Sequence, residues 1–434
     1  VKHVTPFALG LLAVVLLAVL EARAQESKLD GCHAAAKERP TDPAAALAYG
    51  QALGRAGHWT EALAELRRGI AVVGARPDAA DALYWEVARV YADRHDLPRA
   101  MAACKGLDRQ HEPTVASHAC MAVAHLGWQR ATEALTEAEE ALKRDPACYD
   151  AKVAEGRAYD LELQPVHAEA ALRAAIAIRP PSMSGEDAHL ALGHVLLKAG
   201  KRDDAVAELR TALQIDPADP LALYELGMAL APSGESVTLL DRATHERPSY
   251  AEAWLALGSQ ELAAGNQAVA KTAADAAVRS DPGSADALVL TGKIAFAGDR
   301  LDDAIRAAKA ALKIVPNSAS AMLLVADCNA KKGEIDLALE AYQSAWGFDH
   351  SDPTPLVHAS EACHVASRDT SARAFGAKAA QEFPNWAPGW VALGDALVGQ
   401  RETKAARDAY QKALAVSDGS IDRTTVSQRL ASLK

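Results

Sequence analysis

The sequence predicts an all-α helical-repeat solenoid, and three observations point there. Ninety-nine of the 434 residues are alanine, while aromatic residues make up only 5%. Alanine is the best helix former and carries little bulk, so the chain forms helices readily but cannot fill one thick core. It suits thin layers of closely packed helices. No run of alternating β-branched or aromatic residues bounded by turns is found, which removes the strand signal. A period of about 34 residues governs everything after residue 42, and self-similarity of that length marks stacked supersecondary units.

The first element is an export signal. Lys2 and His3 precede an apolar run from Phe7 to Leu20, followed by Ala22, Arg23 and Ala24. This is the basic, apolar and small-residue order of a secretory signal peptide, with cleavage expected after Ala24. An uncleaved anchor competes with it, but the run from Phe7 to Leu20 falls short of the roughly 20 residues that span a bilayer. A lipidation site at Cys32, after Leu29, Asp30 and Gly31, is the other alternative. That cysteine lies well beyond the apolar run, with Glu21, Arg23, Glu26 and Lys28 between, whereas such a site should abut the run. The opening Val1 reads as a non-ATG start translated literally, a bacterial habit. The mature chain is therefore expected in the periplasm or outside the cell, with no further transmembrane span.

Residues 25–42 form an amino-terminal cap, with a short helical stretch over 27–39 before Pro40. The repeat array is expected over 43–418, in units starting near 43, 81, 115, 149, 186, 220, 251, 285, 319, 353 and 387. The eighth position of each unit is small: Gly50, Ala88, Ala122, Gly156, Gly193, Gly227, Gly258, Gly292, Ala326, Ser360 and Gly394. Glycine inside a helix costs about 1 kcal/mol relative to alanine, so its recurrence at one phase implies close approach of the two helices of a unit. The twentieth position is alanine in ten units (62, 100, 134, 168, 205, 270, 304, 338, 372 and 406) and Leu239 in the sixth. Each unit reads as two short helices with Gly57, Gly200, Gly265 or Gly333 at the turn, suited to a positive φ. A proline (146, 180, 217, 282, 316 or 384) closes the second helix. Such short helices are marginal alone and take their stability from stacking.

Three irregularities interrupt the array: a long connection through residues 74–77, another through 179–185, and a shortened sixth unit around Pro232 and Gly234. Loop-length drift explains them, and a hinge over 180–250 is the alternative. A final helix within 419–434 is expected to start at Ser420 or Asp422. Its Ile421, Val426, Leu430 and Leu433 would cover the last repeat.

The clearest unit runs from Ala251 through Trp254, Leu257, Gly258, Gly265, Ala270, Ala274 and Ala277 to Pro282. The last carries Trp390, Leu393, Gly394, Leu397, Ala406, Tyr410 and Ala413. These spacings resemble the tetratricopeptide repeat family, with its W-x2-L-G-x2-Y and A-x3-F pattern and closing proline. The resemblance implies a right-handed superhelix of about eleven helix-turn-helix repeats that binds other proteins. It also implies that positions 2, 5, 9, 12 and 13 of each first helix face a concave groove. Here those positions include Trp85, Arg89, Arg157, His194, Lys198, Tyr224, Met228, Lys293 and Phe296. Aromatics and arginine anchor interfaces well, and the cations imply an acidic or carboxylate-bearing ligand. Chaperone-tail clamps of the family use Lys and Asn in consecutive first helices. Of the four asparagines, only Asn329 falls on one, so that pattern is absent.

Charge narrows the partners. The formal net charge is −11, from 46 basic and 57 acidic residues, and −12 without residues 1–24. With no run of Lys or Arg longer than three, the chain lacks the dense cationic surface that nucleic acid or anionic lipid requires. No phosphate loop, nucleophile elbow or H-E-x-x-H helix appears. No catalytic residue, cofactor or metal is expected, so the chain reads as no enzyme. Two His/Cys groupings, His118–Cys120–His125 and His358–Cys363–His364 with Cys328, supply only part of a zinc ligand set. Six cysteines without C-x-x-C spacing permit disulfides in an oxidising compartment, Cys104–Cys120 and Cys328–Cys363 among them. The leading reading is a scaffold of the bacterial cell envelope that binds a partner segment in its groove. The alternative is a non-catalytic subunit of an envelope glycan or secretion enzyme complex. Small-ligand sensing is a third.

Overall fold

Short polar residues cap several of the first helices of the repeats. Asp219, Ser284 and Ser318 each accept a hydrogen bond from the backbone N–H three residues on, at 2.6, 3.2 and 3.3 Å, and Thr114 forms a reciprocal capping box with Ser117. Each cap satisfies a donor that a helix end would otherwise leave unpaired, worth roughly 1 kcal/mol. The computed structural model describes residues 29–433, apart from 74–76, 95, 109–111, 180–184 and 417. The expected signal peptide and its cleavage after Ala24 lie outside the described residues. So do 74–76 and 180–184 of the two long connections.

The fold is an all-α tetratricopeptide-type solenoid, and the chain divides into two compact units between Ala256 and Leu257. In the first, a helix over 29–38 precedes paired helices. The A helices of repeats one to six are Pro43–Arg55, Pro77–Asp93, Val115–Gly127, Tyr149–Leu161, Glu186–Lys198 and Pro220–Ala229. The second A helix begins at Pro77, one turn ahead of the repeat register that starts near 81, because proline is pre-organised for a first helical position. The sixth A helix has only 10 residues, and the Ala231–Pro232 peptide that follows it is cis. The A helix of repeat seven, Ala251–Ala263, leads into the second unit. Those of repeats eight to eleven are Ala285–Ala297, Ala319–Lys331, Thr354–Val365 and Ala387–Gly399. Among the described residues no helix is long and apolar enough to cross a membrane.

The alanine layer is where the periodicity put it. All ten alanines at the twentieth position are fully inaccessible, and Leu239 is nearly so. In four repeats the small eighth position is a glycine with a steric partner sixteen residues on. A Cβ added to Gly50, Gly156, Gly193 or Gly394 would lie 2.5–2.6 Å from the side chain of Leu66, Leu172, Leu209 or Tyr410. Where the partner is smaller, as Cys104 or Ala138, the eighth position is Ala88 or Ala122. At these positions size is matched across the A–B interface, as close packing requires, while Gly258 and Gly292 instead meet Leu290 and Leu324 of the next A helix.

The turn between helices needs a left-handed residue. Gly57, Gly200, Gly265 and Gly333 supply it with φ of 80, 74, 83 and 80°. Five other repeats place Gln129, Leu163, Asp299, Ser367 and Arg401 there, with φ of 54–62°. In the first unit the turn of repeat one also meets distant chain. Arg55 Nη1 lies 2.9 Å from Asp216 Oδ2, and a Cβ on Gly57 would sit 3.1 Å from Ser249 Oγ. At the carboxyl end the helix Arg423–Ser432 is capped by Asp422. Its Val426 and Leu430 pack with Ile421 and Leu433 against Trp390 and Tyr410 of the last repeat.

Candidate binding groove

Successive A helices stack side by side, so side chains one repeat apart in sequence come within contact. In the first unit this produces a polar knot. Asp160 of repeat four accepts from Lys198 Nζ at 2.7 Å, and its other oxygen lies 3.6 Å from His194 Nε2. His194 Nδ1 meets Glu225 of repeat six at 2.9 Å. That hydrogen bond to Glu225 raises the His194 pKa, against the opposing pull of burial. Tyr224 stands beside Tyr250, with ring centroids 5.2 Å apart, and Met228 is 42% exposed.

The nine residues named from the sequence fall into three groups. His194, Lys198 and Tyr224 come together in this knot, with Met228 on the same helix as Tyr224. Trp85 is half-buried against the first repeats' core, packed with Ala119, Ala141 and Ala151, and Arg89 Nε donates to Glu86 Oε2 at 3.1 Å. Arg157 and Lys293 are exposed, while Phe296 lies under Lys331, whose Nζ is 5.0 Å from the ring centroid. Arg89, His194 and Lys198 are neutralised by Glu86, Glu225 and Asp160, charges that a list of groove cations omits.

The last three repeats of the second unit are acidic at the same register. The ninth positions of repeats nine, ten and eleven are Asp327, Glu361 and Asp395. Asp327 Oδ1 accepts from the Tyr342 hydroxyl at 2.8 Å and meets His358 Nδ1 at 2.8 Å. Asp395 Oδ1 accepts from the Tyr410 hydroxyl at 2.7 Å, and its Oδ2 accepts from Arg429 at 2.6 Å. Glu361 makes no such bond among the described residues. It is open to solvent, yet the protein around it displaces enough water to push its carboxyl pKa up despite the countering His358. Asp327, His358 and Glu361, with Phe296, Ile335 and Val365, line a cleft of about 310 Å³. A search for aromatic and cationic anchors passes over these acids, although they share the ninth position with Arg89, Arg157, His194, Met228 and Lys293. The register itself is the signal.

Neither His/Cys grouping gathers around a common point. His118 Nδ1 pairs with Glu137 at 2.7 Å, Cys120 is disulfide-bonded to Cys104, and His358 is held by Asp327. Cys328 and Cys363 are both buried as free thiols, so the second of the two sequence-compatible disulfides is not formed.

The His358–Asp327 pair carries a pH dependence. Burial lowers the imidazole pKa, but the hydrogen bond and charge of Asp327 outweigh it and leave the value above the ordinary 6.5. A raised histidine pKa contributes stability that is complete below the unfolded value and is lost as pH rises through the folded one. The imidazole resonances of His358 are expected to titrate above pH 6.5, and Asp327→Asn to return the midpoint to 6.5 or below. Heteronuclear NMR reads both.

A family model described as a tetratricopeptide repeat matches residues 233–285, 258–319 and 289–353, and a second, described as a TPR repeat, matches 193–234. No curated protein matches the sequence. Among solved structures, yeast Tom70 superposes with a TM-score of 0.50 at 13% identity, over 97% of this chain and 95% of that one. A tetratricopeptide repeat protein from Parabacteroides merdae gives 0.46 at 15% identity, over 65% and 97% of the two chains. PilF of Pseudomonas aeruginosa gives 0.43 at 16%, over 48% and 94%. The first of these carries the comparison of fold. With the A–B packing described above it supports a tetratricopeptide-type solenoid, and the family models find tetratricopeptide repeats over residues 193–353.

Proposed function

We propose that the chain is a non-catalytic protein-interaction scaffold of the bacterial cell envelope, periplasmic or secreted, which holds a segment of a partner protein against its A helices. Tetratricopeptide architecture is typical of protein-interaction scaffolds. The observation that carries the reading is the cleft of the second unit, where Val365 is 84% exposed beside Glu361, a carboxylate with no ion-pair partner among the described residues. An exposed apolar side chain next to an unsatisfied charge is surface that a partner can cover with gain. The buried Cys104–Cys120 disulfide supports an oxidising compartment, in keeping with the amino-terminal export signal.

In bacterial cells producing the full chain with a carboxyl-terminal tag, the product is expected outside the cytoplasm with an amino terminus at Gln25. A full-length cytoplasmic product would overturn the export assignment. A photo-crosslinking amino acid at Met228 or Val365 is expected to capture the same envelope protein reproducibly. The same reagent at Leu337, exposed on the B helix Ile335–Phe348, should not. Equal capture from all three positions would remove the groove from the proposal.

A further inference from the structure

The acidic ninth positions of the second unit repeat one arrangement with a gap in the middle. Asp327 and Asp395 are each served twice by their own chain. A tyrosine fifteen residues on donates its hydroxyl (Tyr342 and Tyr410), and a cation from the next A helix or the cap pairs with the carboxylate (His358 and Arg429). At Glu361 neither donor is found among the described residues. The residue fifteen positions on is Gly376, where any side chain would run into the backbone of Leu393. On the next A helix Ala392 stands in the place of His358, and Asp395 in that of Arg429. Asp395 is a like charge that pushes the Glu361 pKa further up.

Apolar surface adjoins this carboxylate. Val365 stands one helical turn along at 84% exposed, and Phe296, Ile335 and Ala362 line the same cleft. The nearby cations are already engaged. His358 and Arg429 are bonded to Asp327 and Asp395, and Lys331 lies over the Phe296 ring and pairs with Asp299 at 2.8 Å. The open requirement is therefore a cation followed by apolar contact. A partner that closes the cleft withdraws the carboxylate further from water, which strengthens its attraction to such a group.

We infer that the cleft between the A helices of repeats eight to ten binds a partner segment presenting lysine or arginine beside apolar side chains, with Glu361 receiving the cation. The inference rests on the scaffold reading and names the chemistry of its partner. It reverses the sign of the ligand implied by the groove cations.

Fluorescence anisotropy of the full chain with a labelled peptide of alternating arginine and leucine provides the test, with a glutamate–leucine peptide as counterpart. The arginine peptide is expected to bind in preference. Glu361→Gln should weaken it about tenfold, the loss of one charge-assisted contact worth about 1.4 kcal/mol. Glu340→Gln removes the same charge from the exposed face of a B helix and should leave binding unchanged. The melting temperature of Glu361→Gln is expected to be equal to or above wild type, since partial desolvation and Asp395 both burden the charged form. Equal weakening by the two variants, preference for the glutamate peptide, binding of neither peptide, or a lower melting temperature for Glu361→Gln would each overturn the inference. Partner capture at Met228 would still stand in every one of those cases, so the two readings fail separately.

Discussion

Gly376→Val is expected to destabilise the second unit by about 3 kcal/mol, near the top of the range for overpacking a filled interface. Gly376, on the B helix of repeat ten, and Gly389, on the A helix of repeat eleven, bring two backbones together. A Cβ on Gly376 would lie 2.8 Å from Leu393 N and 2.9 Å from its Cα, and one on Gly389 would lie 3.0 Å from Ala380 N. These neighbours are main chain, so no rotamer change relieves the clash and a whole helix must move. The opposing effect is helix propensity, worth at most about 1 kcal/mol to a residue that replaces glycine. Valine recovers only part of that, because branching at Cβ restricts it in a helix. Sterics win. Gly347, near the end of the B helix of repeat nine, has nothing within 4 Å of a Cβ. There Gly347→Ala should stabilise by about 0.5 kcal/mol. Opposite signs for two helical glycines in chemical denaturation would establish close approach as the cause. Equal effects would refute it.

Reduction of Cys104–Cys120 is expected to cost about 3 kcal/mol, the loop-closure value for a bridge spanning about 15 residues. The bond joins the B helix of repeat two, Leu97–Cys104, to the A helix of repeat three, with Cα atoms 5.5 Å apart and a sequence separation of 16. That B helix has only 8 residues, too few to be stable without neighbours. The crosslink offsets its shortness. Denaturation with and without reductant should differ by the stated amount for wild type. A C104A/C120A variant should match reduced wild type in midpoint and ignore reductant. A variant as stable as the oxidised protein would show that packing alone holds repeats two and three together. Cys328 and Cys363 provide an internal contrast, since both are buried and free and reductant has nothing to break there.

How far the sequence can be read depends on the range of the interaction concerned. The alanine at the twentieth position and the small eighth position obey a local rule, because helix A and helix B of one repeat are close in sequence, and both are legible. The left-handed turn is legible where glycine occupies it. It is hidden at Leu163 and Arg401, where a non-glycine residue adopts a conformation that costs it energy. The groove is harder. A residue's register on its A helix can be counted, and counting finds Arg157 and Lys293. Its neutralisation depends on the next repeat, so the pairing of Lys198 with Asp160 leaves no mark in the local sequence. Asp327, Glu361 and Asp395 are countable by the same register, but a search for aromatic and cationic anchors does not look for acids. Which cysteines pair is unreadable for the same reason as the ion pairs: it depends on where two helices from different repeats meet.

The contact between the turn of repeat one and the chain around Asp216 and Ser249 has a further consequence. In an open stack of repeats the terminal unit has one neighbour, frays first, and opens the way for the next. Here repeat one, beyond its contacts with repeat two, also meets the connections after repeats five and six through Asp216 and Ser249. The Arg55–Asp216 pair is half-exposed and adds little energy by itself. What it changes is topology: unravelling from the amino terminus must break two interfaces before the first repeat is released, so the first unit opens more as a clasped loop than as a row of tiles.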